Sequence, residues 1–131
     1  MRRSWLALVL AGLVRLSTPA AAHHSFSQYY LEKDTLQVEG DIVEFQFKNP
    51  HSWIFVQGQD SFGRPRIYAA EWVSTSQLER LDITKRTLKA GDRVRIWVSP
   101  NKDPNDNRVR LKRIERPSDG WQWGQGQREN R

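Results

Sequence analysis

Apolar and polar residues alternate with a period of two over most of the chain from Leu36 onward, as in strands that turn one face to a core. The first run holds Leu36, Val38, Gly40 and Ile42 in phase. It then slips by one, so that Val43, Phe45 and Phe47 carry the apolar side. A slip beside a glycine predicts a bulge or sharp coil within one long strand. Asn49-Pro50 predicts a turn, and a second strand follows over His51 to Gln57. By strict alternation His51 shares a side with Trp53 and Phe55, while Ile54 and Val56 take the other, so both faces are expected to be covered. Asp60-Ser61-Phe62-Gly63 closes a hairpin into a third strand, Arg66 to Val73. There Ile67, Ala69, Glu71 and Val73 lie opposite Tyr68, Ala70 and Trp72, which leaves one face to accommodate Glu71.

The period then changes. Ser74/Gln77 or Ser76/Glu79 has the spacing of a capping box, and Leu78 and Leu81 fall on one face of a short helix. Leu88-Lys89-Ala90-Gly91-Asp92 predicts a turn into a fourth strand, with Val94, Ile96 and Val98 against Arg93, Arg95 and Trp97. Pro100 to Asn107, rich in proline, asparagine and aspartate, predicts a loop. A last strand over Arg108 to Arg116 turns Val109 and Leu111 inward and Arg108, Arg110 and Lys112 outward. Residues 25–35, with Phe26, Tyr29 and Tyr30 close together, predict an ordered lead-in rather than a strand. After Pro117, Trp121-Gln122-Trp123-Gly124-Gln125-Gly126-Gln127 lacks core periodicity and predicts a flexible tail, with one tryptophan docked on the barrel.

The order β-β-β-α-β-β is that of a small five-stranded OB-like barrel, all-β with one short helix. A split barrel of another kind is the rival. The domain expectation is a signal peptide at 1–22, an OB-like barrel over 23–116 and a tail over 117–131. The leader reading rests on Arg2 and Arg3, an apolar run from Leu6 to Leu13, and Ala20-Ala21-Ala22 as an Ala-x-Ala cut site. Arg15 interrupts the apolar run well short of the ~18 residues of a spanning helix. Localisation is therefore expected to be exported, periplasmic or secreted, with no membrane span after the cut.

Charge changes little in this picture. The 131-residue chain carries a formal +6, but residues 1–22 contain three arginines and no acid, so cutting after Ala22 leaves +3. An exported domain with so small an excess gives no reason to expect nucleic acid. Cysteine matters more: there is none, and the single methionine is Met1. No disulfide can form, and without sulfur the cut chain suits Cu(II), Zn(II) or Ni(II) better than Cu(I).

The three histidines fall in two motifs. His23 and His24 follow the expected cut, and His51 follows Asn49-Pro50. A terminal amine titrates at roughly 7.7–8.0, so a metal can displace its proton near neutrality. The amine and Nδ1 of His23 can chelate one ion, and an imidazole from His24 or His51 adds a further nitrogen in the planar set favoured by Cu(II). With His24 at the second position after the cut, the terminal square that uses a third-position histidine is not available. The bland alternative is a frayed end and a turn-capping His51.

His23-His24-Ser25-Phe26, Gly40, Asn49-Pro50-His51 and Leu88-Lys89-Ala90-Gly91-Asp92 together resemble a family of small exported bacterial proteins that carries only a domain-of-unknown-function label. The resemblance covers nearly all of residues 23–115, and the two histidine motifs are its most specific part. It implies a signal peptide followed by a small β-barrel, and an acid before the helix, where Glu71 stands. Ser74 to Ile83 departs from it, lacking the expected Ser-Pro and later glycine.

Glu71 is read either as an oxygen ligand or imidazole-orienting partner, or as one half of an ordinary salt bridge. Arg93, Arg95, Trp97, Arg108, Arg110 and Lys112 form a basic and aromatic stripe. That stripe could take a polyanion, an acidic glycan or an exported partner protein, against the simpler reading of a solvated strand face. No nucleophile elbow, catalytic triad or phosphate loop is present, so an enzyme is not expected, with oxidative copper chemistry as the alternative. The leading expectation is an exported barrel binding Cu(II), or zinc or nickel, through His23, His24 and His51. The rival is a non-metal binding module using the basic stripe.

Overall fold

The computed structural model describes residues 26–124, and its sheet is organised by the long first strand. β1 (Leu36–Gln46) pairs antiparallel with β2 (Trp53–Gln59) through its second half and with β4 (Arg93–Ser99) through its first half. The register shifts between Ile42 and Glu44, where the alternation slips. That bulge lets one strand serve two neighbours on a curving sheet. Val43 is the residue turned out by it, 45% exposed, which corrects its assignment to the apolar face; Phe45 and Phe47 do pack against the core.

β2 runs antiparallel to β3 (Pro65–Glu71), and β4 to β5 (Arg108–Arg116). A parallel pairing of Ala69–Glu71 with Arg108–Arg110 closes the ring. The result is a closed five-stranded mixed barrel with α1 (Thr75–Glu79) between the third and fourth strands, as the order of elements predicts. Ile54, Val56, Tyr68, Ala70, Trp72, Val94, Ile96, Val98, Val109, Leu111 and Ile114 fill its interior.

Ser74 caps α1, with the reciprocal Gln77 contact of a capping box. The helix ends early because Asp82 takes a left-handed φ of 58° and the Ile83 amide donates back to the Leu78 carbonyl. That curl buries Leu78 and Ile83 and leaves Leu81 59% exposed, so Leu81 does not share the buried face with Leu78. Among the described residues no helix is long and apolar enough to cross a membrane.

The expected tail is corrected over its first part. Residues 121–124 form β6 (Trp121–Gly124), antiparallel to Arg113–Arg116 of β5, on the stretch of that edge that β3 leaves free. Trp123 sets its ring against Trp72 at 5.0 Å, and Trp121 also packs on the core. Partial burial of two indoles outweighs the polar glutamine between them. Residues 125–131 lie outside the described part.

Gly40 shows how tightly β1 and β2 approach. A Cβ there would stand 2.1 Å from the carbonyl oxygen of Gln57, a backbone atom that cannot swing aside. Gly40→Ala is therefore expected to cost about 3 kcal/mol or more of stability, read as a lower urea midpoint. A midpoint within error of the parent's would show that the strands can part at no cost.

Candidate functional site

Three separate stretches meet where β2 starts and β3 ends. The loop before β2 is fastened from within and from α1. Ser52 is fully buried, with its amide donating to the Val73 carbonyl and its carbonyl accepting from the Trp72 amide. The Asn49 side-chain oxygen accepts from the Thr75 amide and hydroxyl, both at 3.1 Å. These bonds fix His51 two residues ahead of β2, on the outer face that it shares with Trp53.

Glu71 ends β3 beside it, paired in register with Trp53 and Arg110. Its carboxylate makes two contacts. Oε1 lies 2.5 Å from His51 Nδ1, and Oε2 accepts from the Tyr30 hydroxyl. Against an ionised carboxylate, which can only accept, Nδ1 carries a hydrogen, and Nε2 is the ring nitrogen turned away from Glu71. The Glu71 side chain is 14% exposed and that of His51 35%. Tyr30 is buried, and burial first, then the bond to Glu71, pushes its phenol well above the ordinary tyrosine range. It therefore stays a hydroxyl donor across the physiological range.

Tyr30 comes from the lead-in, which is ordered as predicted. A 3-10 turn at Phe26–Gln28 sends the Tyr29 and Tyr30 amides to the Phe26 carbonyl. The segment is then stitched to the loop after β4: the Leu31 amide donates to Pro100, the Lys102 amide to Tyr29, and Tyr30 pairs with Asn101. The Phe26 ring stands 5.6 Å from the His51 ring and 6.3 Å from that of Tyr30. Phe26, Tyr29, Tyr30, His51, Trp53, Glu71 and Arg108 line a cleft of about 290 Å³.

Of the residues singled out in the sequence, His51 and Glu71 are thus in direct contact. His23 and His24 lie outside the described residues. Among the described residues no three histidine, cysteine, aspartate or glutamate side chains converge on one point.

The basic stripe is largely neutralised by its own neighbours. Arg93 pairs with Glu39 and Asp41, Arg95 with Glu39, Arg110 with Glu32, and Arg108 with Asp106, whose carboxyl that contact pulls below its usual range. Lys112 donates to the Glu32 and Asp34 carbonyls and to the Thr35 hydroxyl. Trp97 is covered by the Arg113 guanidinium, 4.6 Å from its ring centre. Each arginine of the stripe thus faces a carboxylate, and Lys112 is held by neutral oxygens.

Sequence reasoning missed Tyr30 as Glu71's second partner and Arg110 as a cation over Phe26, its guanidinium carbon 3.8 Å from the ring centre. Both pairings join residues far apart in the chain, for which one-dimensional periodicity holds no signal. The aromatic cluster of the lead-in was the available hint.

No curated protein and no solved structure matches the chain. The model described as a "Family of unknown function (DUF6152)" matches residues 10–110, a span that takes in both histidine motifs and Glu71 and stops short of β6. Since that match covers well over half of the sequence, the chain belongs to the DUF6152 family of unknown function.

Proposed function

We propose that this protein is exported, is cut after Ala22, and binds a transition-metal ion, Cu(II) first and Zn(II) or Ni(II) as alternatives. The donors are the terminal amine and imidazole of His23 together with His51 Nε2, and His24 is an additional or alternative donor. The role is to hold or pass on the ion rather than to turn over a substrate.

The observation that carries this reading is the contact between Glu71 and His51 Nδ1. A carboxylate on one imidazole nitrogen is the usual way in which proteins aim the other at a metal and raise its basicity. Chain length adds support. Phe26 packs on His51, and three residues can span up to about 11 Å, a length that allows the His23 amine to reach Nε2. Nitrogen donors without sulfur suit Cu(II). The neutralised stripe speaks against the polyanion reading, because a ligand would have to break Arg–carboxylate pairs before it could bind.

The test is Cu(II) titration of the protein beginning at His23, followed by competition with a chelator and by electron paramagnetic resonance. The expected result is one tight site with three or four nitrogen donors. Binding no tighter than that of a chain whose His23 and His51 are both alanine would end the proposal.

A further inference from the structure

A cleft of about 950 Å³ opens at the end of β2 opposite His51, between the β2–β3 hairpin and the loop that joins β4 to β5. Both walls are stiffened from within. In the hairpin, Asp60 Oδ1 accepts from the Phe62 and Arg64 amides at 2.9 Å, and Oδ2 accepts from Arg64 Nε at 2.8 Å. The Arg64 guanidinium is thereby laid over one face of the Phe62 ring, 5.0 Å from its centre. Phe62 still stays 80% exposed, so a tightly bonded turn presents a phenylalanine to the outside. In the facing loop, the Asn101 and Asp103 side chains accept from the amides of Asp103 and Asn105. Arg66 Nη2 donates to the Asp106 carbonyl at 3.0 Å and ties that loop to β3. Buried Tyr68 and Val109 line the space between the walls, with Leu31 and Leu36 exposed beside them.

Charge decides which class of ligand fits. Asp60, Asp103 and Asp106 line the cleft against Arg64, Arg66 and Lys102, so its formal charge is zero. An anion, or an anionic lipid surface, would call for an excess of cations there. The other polar groups are mainly carboxamides. Among the described residues, the side chains of Gln37, Gln59 and Asn105 line the cleft without a protein hydrogen bond. A carboxamide donates and accepts at once, as a hydroxyl does. Apolar rings beside carboxamides suit a sugar, which has a flat face of C–H groups and a rim of hydroxyls. The volume stands at the upper end of the ~300–1,000 Å³ of ligand sites, which suits an oligomer better than a single ring.

We infer that this cleft is a binding site for an uncharged glycan, with Phe62 as the platform for a sugar ring and Gln37, Gln59 and Asn105 bonding its hydroxyls. The site is separate from His51 and needs no metal. Five-stranded barrels of the OB type bind oligosaccharides, and walls that are already stiff lower the ordering cost of taking up a flexible chain.

The experiment titrates the full chain, without added metal, with maltotetraose, cellotetraose and the tetramer of N-acetylglucosamine. Calorimetry gives the affinity, and amide NMR shifts locate the contact. At least one tetramer is expected to bind saturably, with shifts concentrated in residues 59–66 and 100–107. Phe62→Ala should weaken that binding about 10-fold, while Phe62→Trp, which keeps a flat ring, stays within about 3-fold of the parent. Gln59→Ala and Asn105→Ala should each weaken it about 3- to 10-fold, the loss of one hydrogen bond. All three positions are exposed, so the variants should melt close to the parent. Saturable binding of none of the three tetramers, or parental affinity in Phe62→Ala, would overturn the inference. So would Phe62-dependent pelleting with phosphatidylcholine vesicles in the absence of sugar binding, which would make the ring a membrane contact. His51→Ala should leave sugar affinity unchanged, so failure of this site and failure of the metal site are read separately.

Discussion

Alanine in place of His51 is expected to weaken Cu(II) binding to the protein beginning at His23 by about 100-fold. The size follows from sharing out the free energy of a protein metal site. Complete four-donor sites bind with apparent energies of about 10–16 kcal/mol, roughly 3 kcal/mol per donor, and each 1.4 kcal/mol is a factor of ten. The loss should not be confused with unfolding. His51 is half-exposed and outside the core, and its removal still leaves Glu71 bonded to the Tyr30 hydroxyl, so no buried carboxylate is orphaned. A melt of the metal-free variant within a few degrees of the parent checks that point. Unchanged copper affinity in a folded His51→Ala protein would show that the imidazole and its carboxylate are an ordinary surface pair.

The elements of this prediction differ in how visible they were beforehand. Strand alternation exposed the barrel because most of its strands have one wetter and one dry face, and a period of two survives in the sequence wherever that holds. The same alternation set His51 on the side of Trp53, and both line the cleft. It also placed Glu71 among apolar neighbours, where a carboxylate needs a partner, and the partners prove to be His51 and Tyr30. Leu81 was misread because helix periodicity was carried beyond the end of α1 at Glu79, just before the left-handed Asp82 that reverses the chain. β6 was misread because the glutamines and glycines of residues 122–127 dominate the composition of that stretch. Yet Trp121 and Trp123 stand two apart, a strand spacing, and their burial alternates with that of Gln122 and Gly124. The Tyr30–Glu71 contact could not be read at all. It spans 41 positions and depends on β3 and β5 closing the ring, which brings the lead-in, stitched to the loop before β5, beside the end of β3.

Where the chain starts is expected to decide which atoms bind copper, and a shift of one residue should be enough to change the answer. Beginning at His23, the amine and the first imidazole form one chelate and leave a place in the copper plane for a donor from elsewhere in the fold, which His51 can supply. Beginning at Ala22 moves His24 to the third position. The amine, two backbone nitrogens and the His24 imidazole can then fill all four corners of the plane, a geometry suited to Cu(II). Beginning at Met1, neither arrangement has a free amine nearby. The three forms should therefore differ in kind. For the His23 start, His51→Ala should cost about 100-fold, by the same per-donor reasoning as above. For the Ala22 start, the same substitution should change affinity less than about 2-fold, because the fold contributes no donor. The uncut chain should bind about 100-fold more weakly than the His23 start, having lost the amine. Chelator competition on all three starts, each with and without His51, gives the comparison as a set of thermodynamic cycles. If His51→Ala costs the same for the His23 and Ala22 starts, the terminal amine and the barrel imidazole do not share an ion, and the contact of Glu71 with His51 serves the fold instead.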